Sequence, residues 1–283
     1  MIKKLSLVSI TLIAFAANSL FCRLALLDNH IDPASFTAIR LISGALTLLI
    51  IVLIVGQPLN VNPKRNGWGA AFLLIYAITF SFAYVQLDTA TGALILFGTV
   101  QLTMIAITQF MGKGLGRLEW AGFLIALGGF LYLTLPQFVT PSWLSLVLMI
   151  ISGLAWGLYT LNGKNSNKPL ADTALNFLIA TPFIIIIVAV LVFALDQTLV
   201  LSMRGIILAI ASGALASGVG YSLWYYLLPT ISTSQAATGQ LMVPILAGIG
   251  GVLFVGEVLS LSLMIAGAII LLGVYLTIIA KEQ

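Results

Sequence analysis

Long apolar runs, nearly free of charged side chains, follow one another from one end of this chain to the other. A bilayer core about 30 Å thick needs about 20 apolar residues for each helical crossing. Because the runs suit that length, the sequence predicts an all-α integral membrane protein. Only 7% of the 283 residues are charged, whereas soluble domains contain about 25%. This composition excludes a soluble enzyme, a nucleic-acid-binding module and a receptor with a large extramembrane domain.

Pro, Gly, Asn and charged residues divide the chain into ten predicted spans. These spans are residues 5–27, 34–55, 67–87, 90–111, 119–135, 142–162, 172–195, 204–227, 234–255 and 260–280. The connections between them are too short to fold by themselves. The first span is similar to a secretory signal peptide, with Lys3, Lys4 and Ala14-Phe15-Ala16. Its apolar run continues to Leu27, which favours a retained helix.

The placement of basic residues predicts how these spans are oriented. With a cytoplasmic N-terminus, nine of the twelve basic residues fall inside: Lys3, Lys4, Lys64, Arg65, Lys113, Arg117, Lys164, Lys168 and Lys281. The other three, Arg23, Arg40 and Arg204, lie near the predicted outer ends of spans. We therefore expect a multi-pass protein with both termini in the cytoplasm.

A weak internal repeat relates the two halves of the chain. Its matching positions are Ala121-Gly122, Leu127-Gly128 and Leu131 with Ala266-Gly267, Leu272-Gly273 and Leu276, and Phe15-Ala16-x-Asn18 with Trp156-Gly157-x-Tyr159. We predict two units of five spans, residues 1–137 and 138–283. Because five is odd, the second unit enters the membrane inverted. Inverted repeats are typical of secondary transporters that open alternately to two faces.

Several motifs resemble a known family. They are Tyr221-Ser-Leu-Trp-Tyr-Tyr-Leu-Leu-Pro229, Ser232-Thr-Ser-Gln-Ala-Ala237, Val243-Pro244, Gly256-Glu257, Trp156-Gly157-Leu-Tyr159 and Arg40. Together they are similar to an EamA-type member of the drug/metabolite transporter superfamily, over the whole chain. The resemblance implies ten helices in two inverted five-helix repeats around a central cavity. It also implies a prokaryotic inner (plasma) membrane and the export or exchange of small metabolites.

The first half departs from the family pattern at three places. Gln101 stands where a proline is usual in span four, and Gly112-Lys113-Gly114 lacks the acid of the usual Gly-Glu. Phe15 replaces the usual tryptophan of span one. The substrates of other members therefore cannot be transferred to this chain.

Polar side chains at bilayer depth are the candidate substrate-binding residues, because such groups are costly there and usually face a cavity or another helix. Gln101, near the centre of span four, offers a carbonyl and an NH2 group to a substrate, and the alternative is an interhelical hydrogen bond. Asn18 and Tyr159 occupy matching repeat positions, so we expect both to face the central cavity. Aromatic rings complete the set, with structural packing as their alternative role: Tyr76, Tyr84, Trp156, Tyr221 and Trp224.

The candidate gating or structural residues are Arg40, Arg23, Asp88 and Pro244. We expect both arginines to pair with Asp28, Asp32 or Asp88 at the outer mouth. The alternative is a vestibule that attracts anions, since a guanidinium binds a carboxylate in a fork. Pro244 frees a backbone carbonyl and is a candidate bend in the cavity wall.

The predicted spans contain no carboxylate near their centres, and a proton-coupled exporter of lipophilic cations commonly needs one. Neutral or zwitterionic solutes such as amino acids are therefore favoured over cationic drugs. An enzyme would need clustered catalytic groups, which one histidine and no acid at mid-span do not supply. The sequence has no phosphate-binding loop, so ATP hydrolysis is not expected. No cofactor is expected.

The predicted function is alternating-access transport of small organic metabolites, with export favoured. The expected partners are a small-molecule substrate and the lipid bilayer, with the protein as a monomer or a homodimer. A multidrug exporter and a membrane scaffold without transport of its own are the alternatives.

Overall fold

A computed structural model describes residues 2–110, 116–135, 142–163, 166–227, 240 and 242–280. Within these ranges the regular secondary structure is helical, apart from one isolated β-bridge between Ile31 and Leu201. The uninterrupted helices are α1 (Ile2–Leu26), α2 (Pro33–Val55), α3 (Pro63–Ala83), α4 (Thr89–Phe110), α5 (Arg117–Thr134), α6 (Trp143–Gly163), α7 (Pro169–Phe193) and α10 (Leu261–Ala280). Two others include π-helical turns: α8 joins Met203–Ala211, the π-helical Ser212–Val219 and Gly220–Leu227, and α9 joins Met242–Gly250 and the π-helical Gly251–Val255.

The helix bounds agree with the predicted spans to within a few residues. Helix α3 begins earlier than predicted, at Pro63, because the Asn62 side chain accepts a hydrogen bond from the Arg65 backbone N–H (3.0 Å). Such a cap, followed by proline at the first helical position, is a strong helix start. The start of the ninth span, the motifs at 112–114 and 232–237 and the boundary between residues 137 and 138 lie outside the described residues.

Seven of the described helices, α1 to α4 and α6 to α8, are long and apolar enough to cross a membrane. The described apolar stretches of α9 and α10, Met242–Val255 and Leu261–Thr277, are shorter. Large apolar side chains such as Ile54, Phe193 and Leu253 are 79%, 86% and 69% exposed on the outside of the bundle. Such a surface suits acyl chains, and the protein is a multi-pass membrane protein. The ten-span layout stays a prediction.

The helix ends meet at two opposite faces. At the first, named the Asp32 face, the Asp32 backbone N–H bonds the Val200 carbonyl (3.1 Å), which joins the α1–α2 turn to the segment before α8. At the second, named the Lys64 face, Arg65 at the start of α3 pairs with Asp172 at the start of α7 (2.7 Å). Following the helix directions, α1 begins and α10 ends at the Lys64 face.

Helices from the two halves of the chain pack in recurring pairs. Helix α2 packs on α7, α4 on α9 and α5 on α10. The contact of α3 with α6 corresponds to the contact of α8 with α1. In the same way, the contact of α4 with α6 corresponds to the contact of α9 with α1. If each helix is replaced by the helix five positions away in the chain (α1 by α6, α2 by α7, and so on, and the reverse), the same set of contacting pairs results.

Small residues permit the closest helix contacts. A Cβ atom on Gly273 of α10 would lie 2.3 Å from the Ala126 backbone nitrogen of α5. A Cβ atom on Gly153 of α6 would lie 2.9 Å from the Leu96 carbonyl of α4. Glycine is required at both positions because any larger side chain would push the two helices apart.

Candidate substrate site

A small cavity lies among α1, α3, α4, α6 and α8. Its wall is formed by Phe15, Asn18, Ser19, Tyr76, Phe80, Leu96, Phe97, Trp156, Ala216 and Tyr221. The space open to water is about 20 Å³, which suits about one water molecule. Binding sites for small organic ligands measure about 300–1,000 Å³. In this conformation the cavity is contracted, and a metabolite would enter only after the helices separate.

Four of the predicted binding residues, Asn18, Tyr76, Trp156 and Tyr221, lie in this wall. The rings of Tyr76, Trp156 and Tyr221 form a continuous aromatic surface from α3 to α8. The Trp156 ring centroid lies 4.8 Å from that of Tyr76 and 5.2 Å from that of Tyr221. Phe15 of α1 packs edge-on against Tyr221 at 5.8 Å. A solute between these rings would meet large apolar faces and the polar edges of two phenols.

A chain of hydrogen bonds passes behind this surface and joins four helices. The Ser212 hydroxyl of α8 donates to the Asn18 side-chain carbonyl of α1 (2.6 Å). The Asn18 amide donates to the Tyr76 phenol oxygen of α3 (3.1 Å), which also accepts from Arg40 Nη2 of α2 (2.9 Å). Ser212 begins the π-helical turn of α8 and is not among the predicted binding residues, because a serine spaced with other small residues along a helix is typical of packing.

Arg40 does not pair with Asp28, Asp32 or Asp88, and the expectation of such a pair is wrong. None of these carboxylates lies within 4 Å of its guanidinium. Arg40 lies about 10 Å along α2 from Pro33, too deep to reach the turn. The Asp32 carboxylate instead caps α2 by accepting from the Ser35 backbone N–H (2.8 Å).

The guanidinium of Arg40 is instead enclosed by aromatic rings. Its Cζ atom lies 5.1 Å from the Tyr76 ring centroid and 5.0 Å from that of Phe80. The residue is 1% exposed, and its Nε and Nη1 atoms have no hydrogen-bond partner among the described residues. Cation–π attraction and one hydrogen bond therefore hold a charge that has no ionic partner in the part of the chain that the structure describes.

Arg23 lies between the cavity and the Asp32 face and connects three helix ends. Its Nη2 pairs with Asp88 (3.6 Å), as the sequence predicts, and its Nε pairs with Glu257 (3.4 Å). Its Nη1 donates to the carbonyls of Tyr84 and Val85 at the end of α3 (3.1 Å each). We name Arg23, Asp88 and Glu257 the Arg23 cluster, which holds the Asp32 face together.

Gln101 and Tyr159, two further candidates, lie outside the cavity wall. Gln101 is 7% exposed, one helical turn beyond Phe97 on α4, and its side chain makes no hydrogen bond with the described residues. Tyr159 stacks on Trp156 with ring centroids 5.3 Å apart, and its hydroxyl lies 3.4 Å from the Thr173 hydroxyl. Of these two matching repeat positions, Asn18 lines the cavity and Tyr159 does not in this conformation.

The remaining candidates take packing positions in this conformation. The Tyr84 hydroxyl donates to the Thr89 carbonyl (3.3 Å) and thus joins the end of α3 to the start of α4. Trp224 packs edge-on against Phe15, with ring centroids 5.7 Å apart. Pro244 is buried at the start of the described part of α9.

Comparison with known proteins identifies the family. The model of the EamA-like transporter family matches residues 143–279. An uncharacterized protein of Pseudomonas aeruginosa is 47% identical over 97% of this chain and 94% of its own length. The chain belongs to the EamA-like transporter family. The resemblance found in the sequence motifs is thereby confirmed.

Other relatives, whose names include the word transporter, match at lower identity. The uncharacterized transporter YwfM of Bacillus subtilis is 28% identical, over 88% of this chain and 85% of its own. The uncharacterized inner membrane transporter YedA of Escherichia coli is 22% identical, over 88% and 82%. A solved crystal structure of a protein covers 95% of this chain and 98% of its own, with a TM-score of 0.66 and 19% identity. That similarity concerns the fold.

Proposed function

We propose that this EamA-like protein is a secondary carrier that moves small organic metabolites across the inner membrane by alternating access, in the direction of export. The substrates are neutral or zwitterionic solutes such as amino acids. The observation that carries the proposal is the cavity wall, where Asn18 and Tyr76 from the first half meet Trp156 and Tyr221 from the second. The inner membrane is the location given in the name of the relative YedA.

The same proposal includes two inverted units of five transmembrane helices, residues 1–137 and 138–283. It is supported by the helix pairs described above, which are unchanged when helices five positions apart are exchanged. It is also supported by direction, since α1 runs from the Lys64 face to the Asp32 face and α6 runs the opposite way. Two units of this kind can adopt two alternative arrangements, so that one central cavity opens first to one face and then to the other.

We assign the Lys64 face to the cytoplasm. Lys64, Arg65, Arg117 and Lys168 lie at or beside helix starts on this face. The acidic residues of the Asp32 face are Asp28, Asp32, Asp88, Asp196 and Glu257. The positive-inside rule therefore supports an assignment in which α1 begins and α10 ends on the cytoplasmic side.

The Arg23 cluster is the contact that closes and opens the Asp32 face in the proposed alternating-access cycle. In the present conformation it joins α1, the α3–α4 turn and the end of α9, and so keeps the cavity closed toward the Asp32 face. Opening that face separates Arg23 from Glu257 and widens the cavity for release. Closing it again while the opposite face opens brings Gln101 of α4 toward the solute path.

A multidrug exporter of cations is less well supported. Among the described residues no carboxylate lines the cavity, and the charge of Arg40 lies directly behind Tyr76 and Phe80. That charge would repel a cationic drug, and no described carboxylate in the wall could release a proton in exchange for the drug. A scaffold without transport has no need of the polar chain from Ser212 to Arg40.

The test combines metabolite profiling with transport by the purified protein. Cells that express the protein are compared with cells that express Gln101→Leu at equal membrane levels, to find solutes that the unmodified protein moves to the medium. Each solute is then measured by counterflow in proteoliposomes. The matched control is Gln86→Leu, because Gln86 is exposed near the Asp32 face, away from the cavity.

We expect trans-stimulated exchange of at least one solute by the unmodified protein and Gln86→Leu, and slower exchange by Gln101→Leu. A well-folded protein that exchanges none of the solutes would contradict the carrier proposal. Normal exchange by Gln101→Leu would contradict only the role of Gln101.

A further inference from the structure

Arg40 carries a positive charge that the described part of the protein does not balance. Seven of the eight acidic residues lie in the described ranges, and none is within 4 Å of its guanidinium. The side chain is 1% exposed, and two of its N–H-bearing atoms, Nε and Nη1, have no partner there. A buried, unpaired charge destabilises a protein, and ionisable groups at membrane depth usually mark a binding path.

Tyr76 connects this charge to the cavity. Its phenol oxygen accepts from Arg40 Nη2 (2.9 Å) and from the Asn18 amide (3.1 Å). A phenol has two acceptor sites and one O–H donor, so these two bonds direct the hydrogen of Tyr76 toward a third partner. Because Tyr76 forms part of the cavity wall, a solute oxygen that accepts this hydrogen would lie roughly 5 Å from the guanidinium.

We propose that Arg40 and Tyr76 recognise a carboxylate on the transported solute. The inference rests on the proposed carrier function and redefines its substrate class as solutes with one carboxylate and an apolar or aromatic body, which includes zwitterionic amino acids and adds simple monocarboxylate anions. The carboxylate accepts from the Tyr76 hydroxyl and, as the cavity widens, from the unpartnered N–H groups of Arg40. The body of the solute packs on the rings of Phe15, Trp156 and Tyr221.

The aromatic lining determines which carboxylates fit. Most of the wall is ring or aliphatic surface, and besides Tyr76 its polar groups are the Asn18 and Ser19 side chains, the Tyr221 hydroxyl and the Trp156 indole N–H. A second carboxylate on the solute would be buried without a described cation in the wall, at a large desolvation cost. The site therefore selects one negative group and an apolar remainder.

Binding is tested by thermal unfolding of the purified protein in detergent, since a ligand that binds only the folded state raises Tm. The probes are phenylalanine, leucine and 3-phenylpropanoate, each compared with its own amide. Sodium chloride and inorganic phosphate are added separately, because a small inorganic anion shares the chemistry of a carboxylate. We expect the carboxylates to raise Tm and to bind at least about tenfold more tightly than the amides, as one charge-assisted hydrogen bond implies.

Variants locate the effect at the two residues. Tyr76→Phe keeps the ring and removes the hydroxyl, so we expect carboxylate affinity to fall about tenfold and amide affinity to fall less, because an amide carbonyl accepts a weaker, uncharged hydrogen bond. Arg40→Gln should remove the preference for carboxylates, and Arg40→Lys should retain part of it. The matched control is Tyr132→Phe, because Tyr132 is 49% exposed on the outside of α5. If Arg40→Gln does not fold, Tyr76→Phe and Arg40→Lys decide the question.

The possible failures are distinguishable. Equal affinity for carboxylates and amides, no response to any carboxylate, or equal stabilisation by chloride or phosphate would each overturn the inference. So would counterflow of an uncharged solute that Arg40→Gln carries at the normal rate, which would leave the carrier proposal standing. Carboxylate binding without exchange of any solute would overturn the carrier proposal alone.

Discussion

Glu257, just after α9, caps the amino end of α4 through Thr89, although 168 residues separate the two in sequence. The two carboxylate oxygens accept from the Thr89 backbone N–H (2.8 and 2.9 Å), and Oε1 also accepts from the Thr89 hydroxyl (2.9 Å). The first N–H groups of a helix lack acceptors within the helix and carry a partial positive charge. One buried carboxylate therefore stabilises this helix end and also pairs with Arg23.

Replacing Glu257 by Gln should destabilise the protein by about 2 kcal/mol, because the amide keeps one acceptor and loses the charge that faces Arg23. The measurement is the Tm of the purified variant in detergent.

The control for this change is Asp196→Asn. Asp196 is exposed at the same face, with a φ of 49°, and asparagine adopts that left-handed conformation as readily as aspartate. Its Tm should match that of the unmodified protein. An unchanged Tm in Glu257→Gln would mean that another group caps α4.

The helix boundaries could be predicted because they depend on local composition. Each apolar run must be long enough to cross the bilayer, and proline, glycine and charge interrupt it at the ends. The start of α3 at Pro63 was missed because the prediction followed hydropathy, whereas the structure follows the Asn62 cap. A capping signal can extend a helix beyond its apolar segment.

The candidate site could be predicted only in part. Tyr76, Trp156 and Tyr221 could be chosen as rings at depth, and they line the cavity. The hydrogen-bond partner of Arg40 could not be predicted, because it depends on which side chains α2 and α3 bring together across the bundle. The hydrogen bond from Ser212 to Asn18 could not be predicted for the same reason, since nothing near Ser212 in sequence indicates it.

The contact between α5 and α10 requires glycine at position 273. Its Cβ atom would lie 2.3 Å from the Ala126 backbone nitrogen and 2.6 Å from the Gly122 carbonyl. Gly273→Ala should therefore separate the helices and cost about 1–3 kcal/mol, seen as a lower Tm. Gly128→Ala is the matched control, because nothing lies within 4 Å of its added Cβ, and it should be neutral or slightly stabilising. Equal Tm values for the two variants would contradict this packing.

Cys22, the one cysteine of the chain, can report opening of the Asp32 face. Its side chain is 0% exposed and lies beside Arg23 on α1. We expect slow labelling by a membrane-impermeant maleimide in the unmodified protein. Glu257→Gln should label several-fold faster, because the Arg23 cluster no longer holds this face closed. A Cys22→Ser, Asp196→Cys variant gives the rate for an exposed thiol. Equal slow labelling with and without Glu257 would show that the cluster is not a gate.

The bond between Ser212 and Asn18 should be detectable as energetic coupling between α8 and α1. Ser212→Ala leaves the Asn18 carbonyl without its donor at 2.6 Å, whereas in an Asn18→Leu background the same change removes no hydrogen bond. The double variant should therefore be more stable than the sum of the single effects predicts, by about 0.6–1 kcal/mol. The control is Ser222→Ala, since the Ser222 hydroxyl donates to Gly218 of its own helix (2.7 Å). Its effect should add to that of Asn18→Leu. Additivity in both pairs would show that the Ser212–Asn18 bond contributes nothing to holding the two halves together, and would remove one support for a site built between them.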